Sequence, residues 1–250
     1  MIKRTIVSLL AALVALGVIV GVEIVLAMRR EYLPTEPALK IGGTFGPPDG
    51  RPLRFFVLGD STAAGLGAPT ADGAYASDLS RKLGRDGWRV QLTGIGVSGA
   101  RVAGVLEEQL PLVEKDDPDL ILIGVGANDV THLTSLSEVQ SDMEEILKRA
   151  LATGAHVVVT GCPDMRASAW YQPLRSLAGL RGRSVTDAIR RAARETGVPM
   201  VPLAERTAPY FAKDPDLYNS EDDFHPSVAG YARWAEAIYP YLRQALGPPG

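Results

Sequence analysis

The sequence contains little cysteine, since Cys162 is the one cysteine in 250 residues. Because a disulfide needs two cysteines, none can form within the chain, and the fold has to be held together by packing. A lone cysteine can serve as a nucleophile, but Cys162 directly follows the apolar run HVVVTG. This position favours a small buried side chain over a reactive one.

Several signatures of function are missing as well. The formal net charge is only -3, and no basic stripe with interleaved aromatic residues occurs, which argues against a nucleic-acid partner. The chain has no H-E-x-x-H motif, no cysteine pair and no Walker A motif, so neither a metal hydrolase nor nucleotide-dependent phosphoryl transfer is indicated. The G-x-S-x-G elbow of α/β-hydrolases is also absent, because GVSGA around Ser98 does not fit it. We therefore predict neither a cofactor nor a metal.

A long uncharged stretch is present at the N-terminus. Residues 6–22 carry no charge, and the apolar stretch between Arg4 and Arg29 is longer than the about 20 residues that a spanning helix needs. Glu23 is tolerable near a membrane interface. The alternative is a cleaved signal peptide, which usually has a shorter apolar core and a small-x-small site after it. We favour an uncleaved membrane anchor over residues 1–30, with the following domain outside the cytoplasm.

The rest of the chain divides into a linker and one domain. Residues 31–50 are rich in Pro and Gly and lack an apolar period, which is typical of a linker or an extended arm. Residues 51–250 are long enough for one sizeable core. In them, apolar runs alternate with helix-like segments. The runs are RFFVLG, VQLTGIG, LILIGVG, HVVVTG and VPMVPL, and the predicted helices are Tyr75–Arg85, Val102–Glu114, Ser137–Ala152, Leu180–Thr196 and Val228–Ala245.

This alternation predicts an α/β fold with a mainly five-stranded parallel sheet covered by helices on both faces. Functional groups of such folds collect beyond the carboxyl ends of the strands. That rule selects three places, which are Gly59–Ser61, Gly96–Gly99 and Gly126–Asp129. In the first, FVLGDSTAAGLGA, Ser61 is either part of a capping turn or a nucleophile. A nucleophilic serine requires a base that takes its proton.

Three histidines are available as that base. His156 opens an apolar strand and is interpreted as structural, whereas His132 follows the third strand end. His225 lies in the polar loop DDFHPS before an amphipathic helix, with Asp222 three residues before it. A loop can fold so that this carboxylate reaches the imidazole Nδ1. The alternative is a capping loop with an exposed histidine.

Four blocks taken together are more specific than any one of them. They are VLGDSTAAGLG, GIGVSGARV, GVGANDV and DDFHPSVAGYARWA, in this order. The combination resembles the SGNH hydrolase superfamily, the GDSL-type esterases and lipases, over about Phe55 to Ile238. This resemblance implies a flavodoxin-like three-layer α/β/α sandwich for residues 51–250.

The resemblance also implies roles for individual residues. Ser61 corresponds to the nucleophile, His225 to the general base and then acid, and Asp222 to the residue that orients it. The oxyanion hole is implied to consist of the backbone N–H groups of Ser61 and Gly99 and the side-chain amide of Asn128. Such donors stabilise the negative charge that acyl transfer builds on the carbonyl oxygen.

Two of these assignments have neighbours that compete with them. Gly96 is an alternative to Gly99, and the loop geometry decides between them. Asp223 is an alternative to Asp222, although the i, i+3 spacing to the histidine favours Asp222.

A long connection after the fourth strand, from Cys162 to Gly182, is a candidate for a pocket wall. Trp170, Tyr171 and Leu174 either line that wall or only pack the loop onto the domain.

The sequence thus predicts a membrane-anchored serine esterase that hydrolyses a small-molecule, lipid or sugar ester through an acyl-enzyme. Two alternatives stay open. One is an acyltransferase that acts on a cell-envelope sugar or lipid with the same residues. The other is a non-catalytic envelope-binding module. We expect residues 1–30 to anchor the protein without contributing to catalysis.

Overall fold

The apolar runs form a central sheet with helices on both faces. The computed structural model describes residues 2–167 and 169–247. Within them six strands, named β1 to β6 in chain order, form one sheet in the order β1-β3-β2-β4-β5-β6. Their bounds are Gly42–Phe45, Arg51–Gly59, Trp88–Gly94, Leu120–Gly124, His156–Thr160 and Met200–Val201.

Strands β2 to β6 are parallel to one another. The central strand β4 is buried along Leu120–Ile123, and β5 is buried along Val157–Thr160. Strands covered on both faces need near-continuous apolar runs, which is why these segments were recognisable in the sequence. The predicted three-layer α/β/α sandwich with a mainly five-stranded parallel sheet is confirmed.

The one strand beyond the five parallel ones, β1, lies in the segment 31–50 before the predicted domain. Strand β1 pairs antiparallel with β3, with Gly42 opposite Thr93 and Phe45 opposite Val90. Ile41, just before it, is only 6% exposed, and its carbonyl accepts a hydrogen bond from the Gly94 N–H at 2.8 Å. Of the two interpretations of residues 31–50, residues 42–45 therefore fit the extended arm and not a free linker. A four-residue edge strand that contains two glycines has no apolar period to reveal it.

The helices pack against the two faces of this sheet. Their bounds are α1 Ile2–Arg29, α2 Tyr75–Arg85, α3 Val102–Gly104, α4 Leu110–Val113, α5 Ala127–Thr131, α6 Leu136–Ala152, α7 Leu174–Thr196, α8 Leu203–Lys213, α9 Pro215–Tyr218 and α10 Val228–Leu246, with a 3-10 turn at Ala71–Gly73 and a π-helical turn at Val105–Gln109. One face is covered by α3 to α7 and carries a core with Val105, Met143 and Ile189. The other face is covered by α2, α8 and α10 and carries a core with Leu79 and Ile238.

Helix α7 starts six residues earlier than the sequence predicted. Its first part contains Gly179 and Gly182, which lower helix propensity and suggest a loop. Both glycines lie against the preceding connection: a Cβ at Gly179 would be 2.5 Å from the Cγ of Arg166, and one at Gly182 would be 2.9 Å from the Cγ of Met165. These glycines lower the helix propensity of the segment, but their small size lets the helix pack closely against the preceding connection.

Helix α1 projects its apolar side chains away from the domain, since Ile6 to Val22 are largely exposed. Among the described residues, Arg4–Arg29 form a helix that is long and apolar enough to cross a membrane, and a signal sequence would meet the same criteria. The C-terminal part of α1 contacts the domain. Glu23 is 8% exposed, and its Oε2 accepts a hydrogen bond at 2.7 Å from the N–H of Leu174, the first residue of α7.

Candidate active site

Ser61 lies at the carboxyl end of β2, where a buried glutamine extends the strand pairing. Both the N–H and the carbonyl of Gly59 bond to the side-chain amide of Gln109, each at 2.8 Å. Gln109 comes from the π-helical turn and is 2% exposed. This side chain fixes the backbone two residues before Ser61. No sequence motif pointed to Gln109, because its partner is 50 residues away.

Residues 60–67 form a compact turn, called here the Ser61 turn. The buried Asp60 carboxylate accepts hydrogen bonds from the backbone N–H and the hydroxyl of Thr62, at 2.9 and 2.7 Å. This local capture of a backbone N–H by an aspartate is an Asx turn. Burial raises the pKa of Asp60 above its ordinary value, although both Thr62 bonds oppose the shift. The turn closes with a hydrogen bond from the Leu66 N–H to the Ser61 carbonyl at 2.9 Å.

The end of the Ser61 turn is packed against the segment that carries the histidine. Gly67 has a φ of +102°, and a Cβ there would lie 2.3 Å from the carbonyl oxygen of Pro226. Only glycine fits such a conformation and such a close approach. The hydroxyl of Tyr231, in α10, also donates to the Leu66 carbonyl. The two parts of the site are thus in direct backbone contact.

Residues 220–226, called here the His225 loop, bring an imidazole and a carboxylate to the serine. His225 Nε2 lies 3.0 Å from Ser61 Oγ, across 164 residues of chain. His225 Nδ1 lies 2.6 Å from Asp222 Oδ2. When Nδ1 carries the proton and donates a hydrogen bond to the carboxylate, Nε2 carries no proton and can accept one from the serine hydroxyl. The two side chains of the pair are nearly buried, at 8% and 2% exposure for His225 and Asp222.

The Asp222 carboxylate is held on its other oxygen as well. Oδ1 accepts hydrogen bonds from the Ser220 hydroxyl and from the backbone N–H groups of Phe224 and His225, at 2.9, 3.0 and 2.9 Å. Burial raises the pKa of Asp222, but the hydrogen bonds from His225, the charge of the imidazole and the hydrogen bond from the Phe224 N–H together outweigh it and hold the pKa well below its ordinary value. A depressed carboxylate pKa contributes stability above the unfolded-state pKa and loses it as the pH falls through the folded-state value. Asp222 is therefore ionised at neutral pH.

The neighbouring acid points elsewhere. Asp223 forms an ion pair with Arg30 at 2.6 Å and makes no contact with the imidazole nitrogens. Of the two acids considered from the sequence, the structure brings Asp222 to the histidine.

The loop after β3 contains the two glycines considered for an oxyanion donor. Within the described residues, the backbone N–H groups of Ser61, Gly96 and Gly99 donate to no acceptor. A Cβ at Gly96 would lie 2.5 Å from the N of Ala64, so this glycine allows the loop to pack on the Ser61 turn. Gly99 is exposed, has a φ of +83° and has open space around it. These surroundings leave the Gly99 N–H free for a ligand.

Asn128 is positioned beside the same loop. It lies in α5, directly after β4, and its Nδ2 donates to the Ala100 carbonyl at 3.0 Å. The amide has a second N–H that remains for a ligand. The next residue, Asp129, also ties α5 to the end of the loop after β3, because its fully buried carboxylate accepts a hydrogen bond from the Val102 N–H at 3.0 Å. Burial raises the pKa of Asp129.

A cavity of about 390 Å³ opens over these groups. Ser61, Asn128 and His225 line it. Its other lining residues come from the connection after β5, from the first turn of α7, from α8 and α9 and from the rest of the His225 loop. These wall residues include Pro163, Asp164, Met165, Arg166, Ala167, Gln172, Arg175, Phe211 and Phe224.

The three predicted wall residues do not line this cavity. Trp170 is buried in the core, and Leu174 packs against that core. Tyr171 is 68% exposed on the outer surface. The packing alternative is thus correct for Trp170 and Leu174, while the pocket wall comes from neighbouring residues in the same connection.

The remaining candidates lie apart from Ser61. His132 is exposed, and its Nδ1 pairs with the Asn128 carbonyl at 2.9 Å. His156 is exposed at the start of β5. Cys162 is fully buried, and burial raises the pKa of its thiol, which confirms the structural interpretation. In the part of the chain that the structure describes, no cluster of three or more His, Cys, Asp or Glu could hold a metal ion.

The site combines a serine at the end of the first parallel strand with an Asp-x-x-His pair before the last helix. This is the arrangement expected from the resemblance of the sequence motifs to the SGNH hydrolases. Residues 57–233 match the GDSL-like Lipase/Acylhydrolase family. The chain belongs to this family.

Two named relatives and one solved structure agree with that assignment. The GDSL-like esterase Rv1075c of Mycobacterium tuberculosis is 34% identical over 197 residues, which cover 78% of this chain and 63% of that protein. The chain therefore spans less than two thirds of this relative's length. Esterase TesA of Pseudomonas aeruginosa is 26% identical over 197 residues, covering 76% of this chain and 88% of that protein. A crystal structure of TesA shares the fold with a TM-score of 0.63 at 23% identity, covering 77% of this chain and 99% of that one.

Proposed function

We propose that this protein is a serine esterase that hydrolyses carboxylic esters through an acyl-enzyme intermediate. The observation that carries the proposal is the chain of hydrogen bonds from Ser61 through His225 to Asp222, at 3.0 and 2.6 Å, at the wall of the cavity. A serine needs such a base to become nucleophilic, and the base needs a third group to orient it. The names of the two relatives, both esterases, point to the same reaction.

In the first half of the reaction, Ser61 Oγ attacks the ester carbonyl carbon while its proton moves to His225 Nε2. The ionised Asp222 stabilises the imidazolium that forms. His225 then gives this proton to the leaving alcohol as the C–O bond breaks, which leaves the acyl group on Ser61. In the second half, a water molecule attacks the acyl carbon while it loses a proton to His225. His225 then gives this proton to Ser61 Oγ as the bond between Oγ and the acyl carbon breaks, which releases the acid and restores the serine.

The negative charge that develops on the carbonyl oxygen is stabilised by three donors. They are the backbone N–H groups of Ser61 and Gly99 and the free N–H of the Asn128 amide. Such donors are effective because they are fixed before the reaction begins. The hydrogen bond from Asn128 to Ala100 and the open surroundings of Gly99 support this assignment.

Helix α1 anchors this esterase in a membrane, with the catalytic domain outside the cytoplasm. The length and apolar exposed surface of Arg4–Arg29 support the anchor. An anchored enzyme meets esters at or near the membrane surface.

The test of the proposed function is the loss of ester hydrolysis in Ser61→Ala. We expect this variant to keep its fold and to lose essentially all turnover of a small p-nitrophenyl ester. Ser98→Ala is the matched control, because Ser98 lies in the neighbouring loop and has no contact with His225. Near-normal turnover in Ser61→Ala would exclude the proposed nucleophile.

The same assay separates the alternatives. Products formed from an ester with and without an added alcohol acceptor distinguish an esterase from an acyltransferase. A binding module would leave the ester intact under both conditions.

A further inference from the structure

We propose that Arg30–Leu33, which connect α1 to the domain, form a positioning segment of the active site that holds the His225 loop in its working geometry. This inference rests on the proposed esterase function. It assigns a catalytic influence to a region that the sequence indicated to be only an anchor and a linker.

The first contact is made with the acid itself. The backbone N–H of Leu33 lies 3.3 Å from Asp222 Oδ2, the oxygen that also accepts the His225 Nδ1 hydrogen bond. A donor at this oxygen helps to fix the carboxylate plane against the imidazole. The contact joins residues that are 189 positions apart.

The second contact is an ion pair beside that acid. The Arg30 guanidinium bonds to Asp223 Oδ2 at 2.6 Å, with side chains that are 31% and 41% exposed. Asp223 has a φ of +55°, a conformation that Asp, Asn and Gly adopt more readily than other residues. Its carbonyl also accepts a hydrogen bond from the Ala169 N–H at 3.2 Å. The His225 loop is thus held from its outer side.

The third contact is a stack of aromatic rings that leads to the base. Tyr32 meets the ring of Phe224 edge-on at 5.4 Å, and Phe224 meets the His225 ring edge-on at 5.0 Å. Trp170 packs on Phe224 at 5.3 Å and donates its Nε1–H to the Tyr32 hydroxyl at 3.1 Å. Tyr32 therefore supports the residue that packs against the imidazole.

The segment is itself fixed at its N-terminal side. Glu23, in the last two turns of α1, accepts the Leu174 N–H and is buried against the domain. A carboxylate at a helix N-terminus is stabilised by the unpaired N–H groups there. The position of α1 and the position of the His225 loop are consequently coupled through residues 30–33.

These contacts predict a particular kinetic signature. None of Arg30, Tyr32 and Leu33 lines the cavity. A change in them should alter how well His225 and Asp222 are aligned, which affects the transition state, and should leave substrate binding nearly unchanged. A merely structural role would lower the melting temperature without such a split.

The experiment uses the full chain in detergent micelles and a soluble p-nitrophenyl ester. We expect Arg30→Ala to lower kcat about five-fold, the upper range for a partly exposed ion pair, with KM unchanged. Arg30→Lys should retain most of the rate. Asp223→Asn keeps the backbone conformation and should lower kcat as much as Arg30→Ala does. The double variant should be no slower than either single variant, because each substitution removes the same ion pair. Arg29→Ala is the control, since Arg29 is exposed one position earlier.

The aromatic contact is tested in the same assay. Tyr32→Ala should lower kcat more than Tyr32→Phe, which keeps the ring and removes only the hydroxyl. The proposal is overturned if Arg30→Ala and Tyr32→Ala have the kcat of Arg29→Ala, or if they change only the melting temperature. The proposed function is judged separately by Ser61→Ala, whose retained turnover would remove the esterase mechanism itself.

Discussion

Ser61 and His225 share one hydrogen bond but belong to regions that are held in place by different means. The Ser61 turn follows a central parallel strand, and its supports are backbone groups, the Asx turn of Asp60 and the buried amide of Gln109. The His225 loop follows no strand of the sheet. A hydrogen bond from the Ser220 N–H to the His225 carbonyl closes it, and contacts with side chains and with the segment after α1 hold it against the domain. The sheet therefore supplies a rigid nucleophile, whereas the acid and base depend on distant parts of the chain.

This difference has a consequence for function. The Gln109 bonds that fix the backbone before Ser61 are buried, so their loss affects the whole fold. The contacts of Arg30 and Leu33 with the His225 loop are only partly buried, so their loss affects alignment more than stability. Under the proposed anchoring by α1, the segment Arg30–Leu33 that follows it would link membrane attachment to the geometry of the His225 loop.

The largest effect is expected from the acid of the His225 loop. Asp222→Asn places an amide beside Nδ1, which favours the tautomer with the proton on Nε2 and leaves no acceptor for the serine proton. A loss of about 10⁴ in kcat is expected from such a change. Asp223→Asn, one residue away, should cost no more than about five-fold. Steady-state kinetics on both variants measure the contrast, and equal losses would contradict the role of Asp222.

The oxyanion donors beside the Ser61 turn should give the next largest effect. Asn128→Ala removes one donor and should lower kcat by about 10²–10³ with little change in KM. Thr131→Ala, in the same short helix, is the control, because its hydroxyl bonds only to the Asn128 carbonyl and to the His132 ring. If Asn128→Ala instead had an unchanged kcat and a lower melting temperature, the amide would serve only to bond the Ala100 carbonyl.

The support of the Ser61 turn should give the smallest catalytic effect and a clear effect on stability. Gln109→Leu leaves the buried N–H of Gly59 without a partner, while the Gly59 carbonyl keeps the hydrogen bond from the Val97 N–H at 3.0 Å. A buried unsatisfied group costs about 1–3 kcal/mol of unfolding free energy. Glu108→Leu changes an exposed neighbour and should be close to neutral. Denaturant titration of both variants checks this. A stable Gln109→Leu with a strongly reduced kcat would reverse the proposed division between the two regions.

The parts of the molecule that could be predicted from sequence are those with local signals. Ser61 follows a recognisable buried strand, and Asp222 and His225 lie three residues apart in one loop. The fold and the family followed from such signals, and both predictions are confirmed. The roles of the individual residues remain proposals.

The supports of the site could not be predicted in this way. Gln109 meets Gly59 across 50 residues, and Arg30 meets Asp223 across 193. A single sequence has no periodicity that links positions so far apart. The edge strand β1 was not predicted for a related reason, because its pairing with β3 depends on tertiary context and not on its own composition.

The central claim is that His225 activates Ser61 for attack on an acyl carbon. The most direct measurement is the site and rate of covalent labelling of the full chain by a fluorophosphonate, read by peptide mass spectrometry. The account predicts one adduct, on Ser61, formed far more slowly in His225→Ala than in the unaltered chain. An adduct on another residue, or labelling of Ser61 at an undiminished rate in His225→Ala, would contradict it.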